Sequence, residues 1–256
     1  MGETIRRTML SITSSQNPTI KLIRSLSEKK YRQEEGLFVA EGWDMLDRAR
    51  KLGWVPEHLL SNEPISPWGE TQPTYVTEKI MEGLSGQNNP HTALATFKQR
   101  YAPDVTQQGV WVALEDMRDP GNLGTIIRTT DAAGAAGIIL LGQSCDPYSR
   151  DCVRASTGSI FAVPLARMET AELISLSKSW KGDVVGTHLK ATEDFRRSYN
   201  SLTLLVMGSE GRGLSEALTE ACKTLVRIPM KGGAESLNVA TATALMLYEI
   251  QKAALV

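Results

Sequence analysis

Cysteine, histidine and aromatic residues are scarce in this chain, and no long apolar run occurs. The three cysteines, Cys145, Cys152 and Cys222, are an odd number, widely spaced and without a CxxC pair. The three histidines, His58, His91 and His188, form no cluster along the sequence. These absences argue against a disulfide framework or a zinc site and point to a reducing cytoplasm. No metal is implied. No apolar stretch reaches the ~18 residues of a membrane span and no signal peptide opens the chain, so no membrane partner is expected. Net charge is lacking too: 28 Lys and Arg against 29 Asp and Glu leave −1 at pH 7. That argues against a chain that is basic all over, but not against a local basic patch.

What is present is 256 residues, 41% hydrophobic and 22% charged, enough for one large domain or two modest ones. The basic residues are uneven. Arg6, Arg7, Lys21, Arg24, Lys29, Lys30 and Arg32 face only Glu3 and Glu28 across residues 1–32. Such clustering is the electrostatic footprint of nucleic acid, with a solvated face as the plain alternative. Residues 1–17 read as a flexible tail. "PTIKLIRSLSEKKYRQEE" reads as one helix, with Ile20, Ile23 and Leu26 at helical spacing. A small α/β unit is expected over 18–99 and a polar linker over 100–109. From 110 to 256 the texture changes. "GVWVALEDM", "IILLG", "DVVGTHL", "LTLLVMG" and "TLVRIPM" are apolar strands separated by helical segments, which predicts a mostly parallel sheet covered on both faces.

Three short constellations each follow an apolar strand. "DPGNLGTIIRTTDAAGAAG" opens a helix on which Gly121, Gly124, Arg128 and Asp131 share a stripe, with Asn122 near its cap. The plain reading is close packing and an ordinary cap. "MGSEGRGL" sets Gly208, Gly211 and Gly213 around Glu210. Its order is GxxGxG, which is neither the dinucleotide fingerprint nor a phosphate loop. "TLVRIPMKGGAESLN" runs strand, glycine turn, helix start, with Ser236 placed as N-cap and Asn238 left unexplained by capping. Two short polar side chains at a helix N-terminus would suit a polar ligand.

Together the three resemble the motifs of the SpoU (TrmH) family of RNA 2′-O-ribose methyltransferases, within the SPOUT superfamily. They occur in the family's order over residues 112–250, and "DPYSRDCVRASTGSIFAVPL" also fits. The N-terminal unit, through "GLFVAEGWDML", resembles the family's RNA-binding domain, which has a ribosomal-protein-like fold. The resemblance implies an α/β fold: a C-terminal SPOUT domain with a deep trefoil knot, preceded by that smaller domain. It implies S-adenosylmethionine as cofactor, held by Gly208, Ile228, Met230, Leu237 and Asn238. It implies a catalytic set of Arg128, Asn122, Glu210, Ser236 and Asn238. A guanidinium stays protonated in proteins, so Arg128 is better suited to stabilising an oxyanion or gripping a phosphate than to acting as base. RNA contacts are expected from Arg154, Ser156, Lys29, Lys30 and Arg32. The expected partners are RNA, ribosomal before transfer, and a second copy of the chain that completes each site. The rival readings are the same reaction on transfer RNA, base methylation, a catalytically silent knotted RNA binder, and a nicotinamide enzyme, against which the missing fingerprint argues.

Overall fold

The structure, a computed structural model, describes residues 12–85 and 91–255. Its helices in chain order are α1 (Pro18–Ser25), α2 (Lys29–Glu35), α3 (Trp43–Lys51), α4 (Glu78–Ser85), α5 (Pro120–Ala132), α6 (Arg150–Ser156), α7 (Thr170–Ser179), α8 (Glu216–Ala221) and α9 (Val239–Gln251). The first strands are β1 (Leu37–Glu41), β2 (His58–Ser61), β3 (Thr74–Tyr75) and β4 (Ala93–Lys98). The others are β5 (Val110–Glu115), β6 (Gly137–Leu141), β7 (Leu165–Met168), β8 (Asp183–Thr187), β9 (Glu193–Asp194), β10 (Thr203–Met207) and β11 (Thr224–Arg227). They form two compact units.

Unit 1 takes the chain up to Gln99 together with Tyr148–Phe161. Its sheet runs β1-β4-β2-β3, with β4 antiparallel to both neighbours. Ile20, Ile23 and Leu26 of the α1 region and Ile80, Met81 and Leu84 of α4 are buried in one apolar cluster with Leu60 and Leu94. An aromatic cluster holds the returning segment: Phe38 lies 4.7 Å from Tyr148 and 5.7 Å from Phe161 between ring centroids. Trp54 donates its ring N–H to the Phe161 carbonyl at 2.9 Å.

Two expectations need correction here. The single helix expected from Pro18 is two helices. Ser25 and Ser27 turn their hydroxyls back to the Leu22 and Arg24 carbonyls, and Leu26 is drawn into the core, so the chain leaves helix at that point. The tail reading fails over residues 12–17. Ile12 bridges Val76, its N–H reaching the Tyr75 carbonyl at 2.8 Å, and Asn17 caps α1 by accepting from Thr19 N at 2.9 Å. Residues 1–11 lie outside the described residues.

Unit 2 comprises Arg100–Pro147 and Ala162–Val256. Its seven strands run β7-β6-β5-β10-β8-β11-β9, and all neighbours pair in parallel. Every residue of β5, β6 and β10 is buried, as continuous apolar strands in a sheet covered on both faces must be. Residues 100–109 lie on this unit: Ala102 donates to the Leu165 carbonyl at 2.7 Å and Val105 packs on the core. The chain steps outward from β5 through β6 to β7, then builds the other side with β8 and β10. That reversal between β5 and β10 is where open α/β sheets hold ligands. α9 packs along α5, and Gln251 closes the pairing by donating to the Ala133 carbonyl at 3.2 Å. Among the described residues no helix is long and apolar enough to cross a membrane.

Candidate cofactor and catalytic cleft

A cleft of about 720 Å³ lies in unit 2 beyond the carboxyl ends of β8, β10 and β11. That size suits a cofactor, since ligand pockets span roughly 300–1,000 Å³. Its walls are the start of α5, the loop 208–213, the run 228–239 and the turn 187–190.

The loop 208–213 is shaped by its glycines. Ser209 and Gly213 exchange backbone hydrogen bonds of 3.1 and 3.0 Å, closing a tight turn. Gly211 and Gly213 adopt φ of +83° and +71°, the left-handed region that disfavours side chains. Gly208 is needed for a different reason: a Cβ there would sit 2.0 Å from the Gly213 carbonyl carbon. The turn thus lifts Glu210 to an exposed tip.

Asn122 is placed by the start of α5. Asp119 is the N-cap and accepts from Asn122 N at 2.6 Å, with Pro120 opening the helix. The Asn122 side chain then joins two other segments. Its Nδ2 donates to Oε1 of Glu210, and its Oδ1 accepts from Nδ2 of Asn238 at 3.0 Å. The N-cap of α9 is Asn238, not Ser236. Its Oδ1 accepts from Ala240 N at 2.9 Å and Thr241 N at 3.2 Å. Asn238 therefore caps with its oxygen and links to Asn122 with its nitrogen. Ser236, two residues ahead, is exposed and lines the cleft.

The structure brings Asn122, Glu210, Ser236 and Asn238 together with Gly208, Ile228, Met230 and Leu237 on the walls of the cleft. Arg128 is absent from those walls. It stands exposed on α5. The glycine stripe beneath it is only partly open, because Gly124 is buried. The expected RNA contacts divide. Lys29 and Lys30 are exposed on α2, and Lys30 faces Glu34 at 3.9 Å. Arg32 is a correction. It is 3% exposed, and its guanidinium donates to the Leu26 and Ser27 carbonyls at 2.9 and 2.8 Å, closing the break between α1 and α2. Arg154 pairs with Glu41 through Nε at 2.7 Å and reaches the Ser85 carbonyl at 2.7 Å. Ser156 is fully buried and returns its hydroxyl to the Val153 carbonyl at 2.7 Å. Arg32, Arg154 and Ser156 thus hold unit 1 together.

Sequence reading missed Thr187, His188 and Lys190, which line the cleft after β8. The one signal was position: polar residues directly after an apolar parallel strand. His188 Nδ1 accepts from Lys190 N at 3.1 Å, which leaves Nε2 to carry the proton of the neutral ring. Two of the thiols are held in the protonated, less nucleophilic form at neutral pH. Burial and then Asp146 push Cys145 up to about 11, and burial pushes Cys222 up to about 12. Among the described residues no cluster of His, Cys, Asp and Glu could hold a metal ion.

A parallel sheet with its cleft beyond the carboxyl ends of its strands and a polar three-residue link across the rim defines a ligand-binding α/β enzyme domain. The chain belongs to the SpoU rRNA methylase family, whose model matches residues 109–248. A second model, the MRM3-like substrate binding domain, matches residues 17–95. The 23S rRNA (guanosine(2553)-2'-O)-methyltransferase RlmP of Bacillus subtilis is 31% identical over 248 residues, covering 95% of this chain and all (100%) of that protein. The 23S rRNA (uridine(2479)-2'-O)-methyltransferase of Streptomyces viridochromogenes is 31% identical, covering 88% of this chain and 85% of that protein. The crystal structure of an AdoMet-bound rRNA methyltransferase from Sinorhizobium meliloti matches with a TM-score of 0.88 at 39% identity, covering 96% of this chain and 98% of that one.

Proposed function

We propose that this protein transfers a methyl group from S-adenosylmethionine to a ribose 2′-hydroxyl of ribosomal RNA. The observation that carries this reading is the Glu210–Asn122–Asn238 link across the rim of the cleft. It lies in a chain that matches named ribosomal 2′-O-methyltransferases along nearly its whole length.

The residues present fit the cofactor. Gly208 admits the close return of the Gly213–Leu214 backbone that shapes one wall of the cleft, and Ile228, Met230 and Leu237 offer apolar surface to an adenine ring. Backbone groups of Gly208, Ile228 and Leu237 are the proposed holders of the adenosine, with Met230 and Asn238 beside them. When bound, the cofactor supplies an electrophilic methyl on a sulfonium. The chain must orient the hydroxyl and lower the energy of the oxyanion that develops as its proton leaves. Asn122, held from both sides, is the proposed positioner of the ribose or its phosphate. Glu210 fixes Asn122, and Ser236 adds a hydroxyl at the rim. Arg128, permanently cationic, is assigned to the oxyanion or the adjoining phosphate.

Two further points belong to this reading. The segments 208–213 and 228–238 are the proposed knot. A second copy of the chain docks on α9, whose exposed stripe Thr241, Leu245 and Tyr248 is apolar at two of three positions, with Leu245 40% and Tyr248 50% exposed. Arg128, being outside the cleft of its own chain, then serves a site completed by the pair. Unit 1, with Lys29 and Lys30, contacts the RNA, in the cytoplasm.

The test incubates total RNA from a strain lacking the protein with the purified chain and methyl-labelled S-adenosylmethionine. Nuclease digestion and mass spectrometry then locate the label. A 2′-O-methylated nucleotide in ribosomal RNA, abolished by Arg128→Ala, is expected. Label on a base would overturn the ribose assignment, and label on transfer RNA alone would overturn the ribosomal one.

A further inference from the structure

We propose that the groove between α3 and the loop 62–68 of unit 1 holds an unpaired base of the RNA substrate, stacked on Trp43 and met at its edge by Arg50 and Asp47. The inference rests on the RNA-substrate reading above and adds a subsite to it.

The groove has a volume of about 320 Å³. One side is a single stripe of α3, Trp43, Leu46, Asp47 and Arg50, at the i, i+3, i+4, i+7 spacing of one helix face. The opposite side includes Ile65 and Trp68. Of the five tryptophans only Trp43 is exposed, at 46%. It is nonetheless fixed, because its ring N–H donates to Thr92 Oγ1 at 3.0 Å. A large ring whose polar atom is already satisfied presents a rigid stacking face. Arg50 is fixed as well. Its guanidinium lies 4.9 Å over the Trp68 ring and donates to the Pro67 carbonyl at 3.1 Å. Asp47 stands beside it, paired with Lys51 at 2.6 Å.

The mixture of groups selects the occupant. An apolar side chain from a protein partner would cover the exposed polar groups of Arg50 and Asp47 while offering neither a further hydrogen bond in exchange for the lost water. A nucleobase offers a π-face to Trp43 and both donors and acceptors at its edge, which match a carboxylate and a guanidinium side by side. Proteins that bind unpaired RNA combine aromatic stacking with cationic side chains in this way.

The test uses the full chain and protein-free ribosomal RNA from a strain lacking it, with KM and kcat measured for wild type, Trp43→Ala, Trp43→Phe and Arg50→Gln. Loss of one stacked base corresponds to roughly 5- to 140-fold in RNA affinity. The expected result is a rise of that size in the RNA KM for Trp43→Ala, with kcat at saturating RNA and cofactor affinity by calorimetry unchanged. Trp43→Phe keeps a ring and should recover most of the loss, and Arg50→Gln should raise KM less. Trp43→Phe also serves if the alanine variant fails to fold: ultraviolet crosslinking of this foldable pair to the same RNA should mark the peptide containing position 43 in both. An unchanged KM, or crosslinks that avoid this peptide, overturns the proposal while leaving the methyltransferase reading intact. A wild-type chain that neither binds nor methylates ribosomal RNA overturns both.

Discussion

Asn238 donates to Asn122 at 3.0 Å although 116 residues separate them. The contact joins the start of α9 to the start of α5, and Glu210 extends it to the loop after β10. Three segments that meet nowhere in sequence thereby share one small polar link at the rim of the cleft. The link should matter more to rate than to stability, because its members are largely exposed. Asn122→Ala should lower kcat roughly 100-fold, the scale of a misplaced reacting group. Thermal unfolding should stay close to wild type, and a variant with full kcat would remove Asn122 from the site.

Gly208→Ala tests the turn. The added carbon meets the Gly213 carbonyl carbon at 2.0 Å and Leu214 N at 2.2 Å, both backbone atoms that cannot step aside alone. The loop must shift, at a cost of about 1–3 kcal/mol for overpacking. Cofactor affinity by calorimetry should fall at least tenfold. An unchanged affinity would mean that the loop does not hold the adenosine.

The Glu41–Arg154 pair makes the opposite prediction, stability without catalysis. Glu41 is 8% exposed, and Arg154 reaches it at 2.5 Å through its terminal nitrogen. Arg154→Met removes the cation bonded directly to this buried carboxylate, costing about 3 kcal/mol. Adding Glu41→Gln should restore part of that loss in urea unfolding. If Arg154→Met unfolds like wild type but loses RNA affinity, the residue is an RNA contact after all.

His58 gives unit 1 a pH dependence. Burial holds its imidazole below the ordinary 6.5, against the opposing pull of the Glu57 carboxylate. The folded chain therefore binds this proton less tightly than the unfolded chain does. The stability so contributed is fully present above about 6.5 and is lost as pH falls below it. The urea midpoint should drop between pH 7 and pH 5, and the drop should shrink in His58→Asn. An equal drop in both would assign the dependence to other groups.

Leu245→Asp with Tyr248→Asp tests the α9 face. Both side chains are exposed, at 40% and 50%, so the isolated chain should fold normally. Light scattering should show a dimer for wild type and a monomer for the variant, with methyl transfer lost. A dimeric variant, or a monomeric wild type, would sink this interface.

Much of unit 2 was legible because parallel strands buried on both faces leave unbroken apolar runs. The strands "VWVALE", "GIILL" and "TLLVM" stand where those runs lie. The glycine loop was equally legible, since a tight left-handed turn admits few residues besides glycine. Charge was less informative. Arg32, Arg154, Lys29 and Lys30 look alike in sequence, yet Arg32 is buried against carbonyls and Arg154 is paired, while Lys29 and Lys30 face solvent. A cation's role depends on which acceptors surround it, and those come from distant parts of the chain.

The same division runs through the site. Local rules, namely apolar periodicity and glycine's freedom, determined the long strands of unit 2, the turn after β10 and the residue types at the cleft. Only the tertiary structure decided that Asn238 rather than Ser236 caps α9 and that Asn122 lies between Glu210 and Asn238. It likewise decided that Arg128 stands away from the cleft walls and that Tyr148–Phe161 folds with unit 1. The cap is local in its bonds, but the choice between the two candidates and the other three arrangements depend on how distant segments pack, and no window of neighbouring residues contains that.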